Sequence, residues 1–83
     1  MTDEKLVEKV LQELEGVAGT DQVRRDLDLS LFGEDLLDSL GTITLMLALG
    51  EAFHIEISPA EIDRELWATP HKIIQYIETR VQR

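Results

Sequence analysis

The chain contains no cysteine, so it can form neither disulfide bonds nor thiolate metal sites. It also lacks any apolar run near the roughly 18 residues that a membrane-spanning helix needs, and direct membrane insertion is not expected. Its first residues, Met1-Thr2-Asp3-Glu4, have neither the basic nor the apolar region of a secretory signal. These absences predict a cytoplasmic protein. With 83 residues, the chain is expected to form one domain, 1–83, around a small core.

Positive charge is missing from the middle of the chain. The net charge is −9, and no lysine or arginine lies between Asp26 and Asp63. Nucleic acid and anionic membranes are therefore not expected as partners, because binding phosphate requires the opposite charge. Basic protein surfaces are the expected partners, attracted by long-range electrostatics. The alternative is that the charge serves solubility alone.

Hydrophobic periodicity predicts two helices in the first two thirds of the chain. Apolar residues at helical spacing indicate an amphipathic helix over residues 3–16, with Gly16 and Gly19 suited to its end. Residues 19–38 have no helical period and form a long connection. Its apolar residues are expected to pin it to the core: Leu27, Leu29, Leu31 and Phe32. A second helix is predicted over residues 39–53.

Two cap-plus-proline signals divide the rest of the chain. Ser58-Pro59-Ala60-Glu61 predicts a short helix that extends to about Arg64. Thr69-Pro70 begins the final helix, and Trp67 between the two is expected to anchor the core. The buried face of the final helix is predicted to consist of Ile73, Ile74, Ile77 and Val81. The fold class is therefore all-α, a small four-helix bundle with three main helices and one short helix.

The second helix is apolar on two sides. At 100° per residue, Leu45, Met46, Leu49 and Phe53 share one arc, whereas the opposite arc carries Leu40, Ile43 and Leu47. Both arcs cannot face one small core. The second is also the more polar, since it includes Thr44 and Glu51, so it is predicted to be a docking surface. The alternative is that the long connection folds over it.

Ser39 lies at the start of this helix. Asp38 and Ser39 are both good N-cap residues, and a helix N-terminus favours an attached phosphate. The serine could be a nucleophile, a modification site or only a cap. A catalytic pair with His54 is excluded, because fifteen helical residues separate the two by about 22 Å. His71 is expected to be exposed in the first turn of the last helix.

Metal and phosphate-loop motifs are also missing. Residues 26–30 begin like a calcium loop, but Leu31 and Leu37 replace its required glycine and bidentate glutamate. The chain has no glycine-rich phosphate loop and no histidine-rich cluster. The sequence therefore predicts neither a metal site nor an enzyme.

An acidic helical domain with Asp38-Ser39-Leu40 at the start of its second helix resembles the acyl carrier protein family. Within it, the D-alanyl carriers of Gram-positive cell-envelope modification are the most similar, and fatty-acid carriers usually lack the tryptophan. The segments that carry this resemblance are Leu36-Leu37-Asp38-Ser39, Gly41-Thr42 and Ile62-Asp63-Arg64-Glu65-Leu66-Trp67-Ala68-Thr69-Pro70.

The resemblance implies that Ser39 bears 4′-phosphopantetheine, whose thiol holds D-alanine as a thioester for delivery to lipoteichoic acid. It implies a phosphopantetheinyl transferase, a D-alanine-activating ligase and a membrane acyltransferase as partners of a monomeric carrier. Partner docking is expected at Asp38, Leu40, Ile43 and Leu47. The alternatives are a fatty-acid, polyketide or peptidyl carrier and, in a different class, an unmodified helical interaction module.

Overall fold

The computed structural model describes residues 4–58, 60, 63 and 65–81. These residues form four α-helices, α1 (Glu4–Ala18), α2 (Gln22–Arg25), α3 (Ser39–Phe53) and α4 (Pro70–Val81), and no strand. Helix α1 packs against the other three helices. Within this described part of the chain, no helix combines the length and the apolar character needed to cross a membrane. The all-α prediction is confirmed.

Helix α1 ends two residues later than predicted. Gly16 lies inside the helix, and the space beside its Cα is open. A glycine at such a position lowers helix stability by only about 1 kcal/mol relative to alanine. Gly19 ends the helix instead, with φ of +75° and its N–H donating to the carbonyl of Glu15 at 2.8 Å. A positive φ is what glycine tolerates best, and it closes the last turn.

The long connection contains a short helix that the sequence did not predict. Helix α2 has four residues, of which only Val23 is buried, so it shows no apolar period. Arg24 joins it to α1 by a bidentate pair of hydrogen bonds to Glu8, both 2.8 Å, and by one to Glu15 at 3.0 Å. Salt bridges between helices therefore fasten the start of this connection.

The rest of the connection lies along the segment that leads into α4. The Leu31 N–H donates to the carbonyl of Ala68 at 2.9 Å, and the His71 N–H donates to that of Leu27 at 3.0 Å. Leu31 and Leu37 are fully or almost fully buried, whereas Leu27 is 37% exposed. Three of the four predicted pinning residues therefore pack on the core, and Leu27 faces solvent.

The core is formed by one face of each long helix together with buried side chains from outside these helices, which include Val23, Leu31, Leu37, Ile57 and Trp67. The tryptophan side chain is fully buried, and its ring meets Tyr76 edge-on with centroids 5.8 Å apart. Thr69 caps α4, because its hydroxyl accepts from the Lys72 N–H at 3.2 Å. The predicted face of α4 is confirmed at Ile73, Ile74 and Ile77, and Val81 is partly buried at its end.

The helix predicted from Ser58 to about Arg64 falls largely outside the described residues, since 59, 61, 62 and 64 are not among them. The Ser58 hydroxyl does accept from the Ala60 N–H at 3.3 Å, as its proposed role at a helix start requires. Residues 54–58 have no regular structure, in agreement with the prediction that the brief alternation there is too short for a sheet.

Candidate attachment site and docking surface

Asp38 is the N-cap of α3, and Ser39 is the first helical residue. The Asp38 backbone is extended, and its Oδ1 accepts from the Gly41 N–H at 2.6 Å. Of the two cap residues considered from the sequence, the structure thus places aspartate in the capping role. A cap with one carboxylate satisfies a free backbone donor and leaves the serine hydroxyl without that task.

The three serines of the chain differ in what their hydroxyls do. The Ser30 hydroxyl accepts from the Gly33 N–H at 3.2 Å, and that of Ser58 accepts from the Ala60 N–H. The Ser39 side chain is exposed, and nothing in the described part of the chain forms a hydrogen bond with its hydroxyl. Ser39 therefore offers an uncommitted nucleophilic oxygen at the surface.

The surroundings of Ser39 suit a phosphodiester. At the first turn of α3, the N–H groups of Ser39 and Leu40 have no acceptor within the helix. The positive end of the helix dipole lies at the same place and favours an attached phosphate. The serine is exposed, so its hydroxyl has room for an attached group without displacement of any packed side chain.

An apolar strip follows Ser39 along the exposed side of α3. The exposed fractions are 72% for Leu40, 47% for Ile43 and 61% for Leu47, and we call these three residues the α3 strip. The alternative that the long connection covers the strip is wrong. The connection packs on the core and beside Ala68 instead, because Leu31 and Leu37 are buried there.

The opposite side of α3 belongs to the core, as predicted. Leu45 and Leu49 are fully buried and Met46 is nearly so. Phe53 differs from the prediction, because it is only partly buried at the edge of the core. It is the last residue of α3, and the chain turns immediately after it at His54 with φ of +56°.

The described carboxylates between residues 26 and 63 are all exposed. They include Glu34, Asp35 and Asp38, which precede the first turn of α3. The chain segment that leads into Ser39 and the α3 strip therefore carries exposed negative charge.

Comparison with known proteins identifies the family of this chain. The family described as "Phosphopantetheine attachment site" matches residues 8–77. A D-alanyl carrier protein of Lacticaseibacillus casei is 45% identical over 78 residues, which cover 94% of this chain and 96% of that protein. The D-alanyl carrier protein of Enterococcus faecalis is 44% identical, with 86% of this chain and 91% of that one covered. The chain belongs to the D-alanyl carrier proteins.

A third D-alanyl carrier protein, from Lactococcus lactis subsp. lactis, is 42% identical over 88% of this chain and 92% of its own length. Membership of this family makes covalently attached 4′-phosphopantetheine the prosthetic group and D-alanylation the process served. The exposed hydroxyl and free N–H groups at the start of α3 fit such a group.

The other residues considered for catalysis are the two histidines. His54 follows the last residue of α3, at the opposite end from Ser39. His71 is exposed in the first turn of α4, as predicted, and its backbone N–H is bound to Leu27. Among the described residues, no group of three or more histidine, aspartate or glutamate side chains is arranged to hold a metal ion.

Two polar features of the carrier were not predicted. Arg24 pairs with Glu8, and this hydrogen-bonded pair lowers the pKa of the Glu8 carboxyl and raises the pKa of the guanidinium. Thr42 is buried next to the cap, and its hydroxyl donates to the carbonyl of Asp38 at 2.7 Å. A threonine four residues after an N-cap aspartate was the available sequence signal for the second feature.

Proposed function

We propose that Ser39 is the residue that carries 4′-phosphopantetheine, and that residues 1–83 act as a single, monomeric carrier domain. The observation that carries this proposal is the uncommitted Ser39 hydroxyl. It is exposed at the first turn of a fifteen-residue helix, while the hydroxyls of Ser30 and Ser58 each accept a backbone hydrogen bond.

In the attachment reaction, the Ser39 oxygen attacks the phosphorus of coenzyme A that bears the pantetheine. A new O–P bond forms, the P–O bond within the pyrophosphate breaks, and adenosine 3′,5′-bisphosphate leaves. A base of the phosphopantetheinyl transferase takes the hydroxyl proton. In this proposal the Asp38 carboxylate caps α3 by accepting from the Gly41 N–H and takes no part in the proton transfer.

The attached group supplies a thiol, which this cysteine-free chain does not have. The thiol holds D-alanine as a thioester, loaded by a D-alanine-activating ligase that consumes ATP. A membrane acyltransferase then receives the D-alanyl group for delivery to lipoteichoic acid. The choice of D-alanine rests on the similarity to D-alanyl carrier proteins.

Partner proteins dock on the α3 strip and on Asp38. Hydrophobic residues exposed at 47–72% are costly to leave in water, and a partner surface that covers them gains from their burial. The exposed carboxylates nearby attract basic partner surfaces and speed encounter. The carrier itself provides placement and recognition in the cytoplasm and catalyses no step.

The test uses purified apo-protein, coenzyme A and a phosphopantetheinyl transferase, with intact mass as the readout. The wild-type protein should gain the mass of one arm, and Ser39→Ala should gain none. Ser58→Ala is the matched control, since it removes another exposed serine hydroxyl and should still gain one arm. Addition of an arm to Ser39→Ala would refute the assignment.

Cargo is tested separately, with the modified protein, ATP, D-alanine and a D-alanine ligase. Formation of a hydroxylamine-sensitive D-alanyl adduct is expected. Efficient malonyl loading without D-alanyl loading would instead assign the protein to the fatty-acid carriers.

A further inference from the structure

The peptide group that joins Asp38 to Ser39 is held by a residue one turn further along α3. The carbonyl oxygen of Asp38 accepts two hydrogen bonds from Thr42, one from its N–H at 2.8 Å and one from its hydroxyl at 2.7 Å. The first bond is part of every α-helix. The second is particular to the side chain at this position.

This doubled contact bears directly on the direction of the Ser39 side chain. A peptide group is planar, so a carbonyl oxygen fixed in space also fixes the N–H that follows it. The plane between Asp38 and Ser39 therefore sets the point from which the Ser39 Cα–Cβ bond departs. Helix ends fray, and an added bond at the N-cap carbonyl opposes that fraying where the reactive oxygen lies.

The environment of the Thr42 hydroxyl distinguishes it from the other threonine in α3. Thr42 is only 9% exposed, so little water competes for its hydrogen bond. Thr44 also donates from its hydroxyl to the carbonyl four residues earlier, that of Leu40, at 3.0 Å, but it is exposed. The two threonines thus make the same type of bond, and only that of Thr42 holds the peptide group attached to Ser39.

We propose that Thr42 is a positioning residue for attachment of the arm, which acts through the Asp38–Ser39 peptide group to hold the Ser39 oxygen in line with the incoming phosphorus. This inference rests on the proposed function of Ser39. In-line attack depends steeply on geometry, so looser positioning lowers the rate of the chemical step. The Thr42 hydroxyl is not part of the α3 strip. Its removal should therefore leave recognition by the transferase nearly unchanged.

The central variant is Thr42→Val, which keeps the branched shape and removes the hydroxyl. The carbonyl of Asp38 retains its bond from the backbone N–H of residue 42, so no buried acceptor is left unpaired. With coenzyme A and the transferase, kcat for arm attachment should fall roughly three- to tenfold while KM for the carrier stays within about twofold. Thr42→Ala removes the same hydroxyl and replaces Thr42→Val if that variant does not fold.

Two further variants separate positioning from general stability. Thr42→Ser keeps the hydroxyl and should restore kcat to near the wild-type value. Thr79→Val removes a hydroxyl that donates to the carbonyl of Tyr76 at 2.7 Å in α4, outside the docking side of α3, and should leave kcat unchanged. Thermal unfolding of each variant sets an assay temperature at which all of them are folded.

An unchanged kcat in Thr42→Val would overturn the inference, and so would equal losses in Thr42→Val and Thr79→Val. A loss shared by Thr42→Ser would assign the effect to packing of the methyl group and overturn it as well. In all three cases the assignment of Ser39 would stand. A wild-type protein that takes no arm would overturn both proposals.

Discussion

The two sides of α3 present the same residue type in opposite environments. Leu45 and Leu49 are fully buried, whereas Leu40 and Leu47 are 72% and 61% exposed. Burial of a leucine contributes about 1.5–3 kcal/mol to folding, and an exposed leucine contributes little of this. The buried leucines therefore explain why the helix stays in the fold. The exposed ones do not stabilise the fold in this way, and the docking role proposed above would account for them.

The largest expected effect comes from a matched pair of leucine truncations. Leu49→Ala should lower the free energy of unfolding by roughly 2–5 kcal/mol, because it opens a cavity in a core that cannot fully collapse. Leu47→Ala, two residues away in the same helix, should change it by no more than about 0.5 kcal/mol. Urea titration followed by circular dichroism measures both. Equal losses would break the comparison between the two sides of α3.

A charge placed in the α3 strip should separate docking from stability. Ile43→Asp should alter the free energy of unfolding by less than about 1 kcal/mol, since Ile43 is 47% exposed. It should lower kcat/KM for D-alanyl loading by about tenfold or more, because a charge would then face an apolar contact. The control is Gln75→Asp, which adds the same charge at an exposed position of α4. Collapse of the Ile43→Asp fold would mean that the strip is part of the core.

Prediction from sequence was most accurate for α3, whose bounds of Ser39–Phe53 agree with the expected 39–53. A strong cap residue at Asp38 and two distinct apolar arcs are local signals, and local signals are visible in sequence. The path of residues 26–37 was not visible. It depends on the bond between the Leu31 N–H and the Ala68 carbonyl, which joins residues far apart along the chain.

The candidate site, like the fold, was predictable from the sequence only in part. The exposure of the α3 strip followed from helical periodicity, whereas the choice of Ser39 came from the family resemblance carried by Asp38-Ser39-Leu40. The division of tasks between Asp38 and Ser39 was not predictable, because both residue types cap helices well and only backbone geometry decides between them. Helix α2 escaped detection because four residues with one buried side chain are too few for a period.

A third prediction concerns the cap at the start of this helix. Asp38→Ala should lower the free energy of unfolding by about 0.5–2 kcal/mol, less than Leu49→Ala, because one capping bond at 2.6 Å is lost at an exposed end. Thr69→Ala removes the comparable cap of α4 and should cost a similar amount. Only the Asp38 variant should also slow arm attachment. Equal attachment rates in the two variants would show that the cap serves the fold alone.

The smallest expected effect concerns the surface ion pair between Glu8 and Arg24. Glu8 has a lowered pKa through its hydrogen bonds to Arg24, so its contribution to stability is present at neutral pH. That contribution is lost as pH falls through the lowered pKa of the carboxyl. The small gap in melting temperature between the wild-type protein and Glu8→Gln should therefore close in acid. Melting curves across pH check this.

Glu51→Gln is the control for the Glu8 variant, since it removes an equal charge from the exposed side of α3 without touching Arg24. It should show no gap that closes in acid. A loss in Glu8→Gln as large as that in Leu49→Ala would contradict the view that the buried side of the helices dominates the fold.

The burial of Trp67 makes the protein its own optical probe. It is the only tryptophan of the chain, it is fully shielded from water, and Tyr76 lies 5.8 Å away between ring centroids. Its emission should lie at short wavelength in the native protein and shift to the red when the core opens. A thiol reagent would meanwhile count attached arms, because the chain has no cysteine. Fluorescence and thiol titration on one sample can thus follow the fold and the modification independently, without an engineered label.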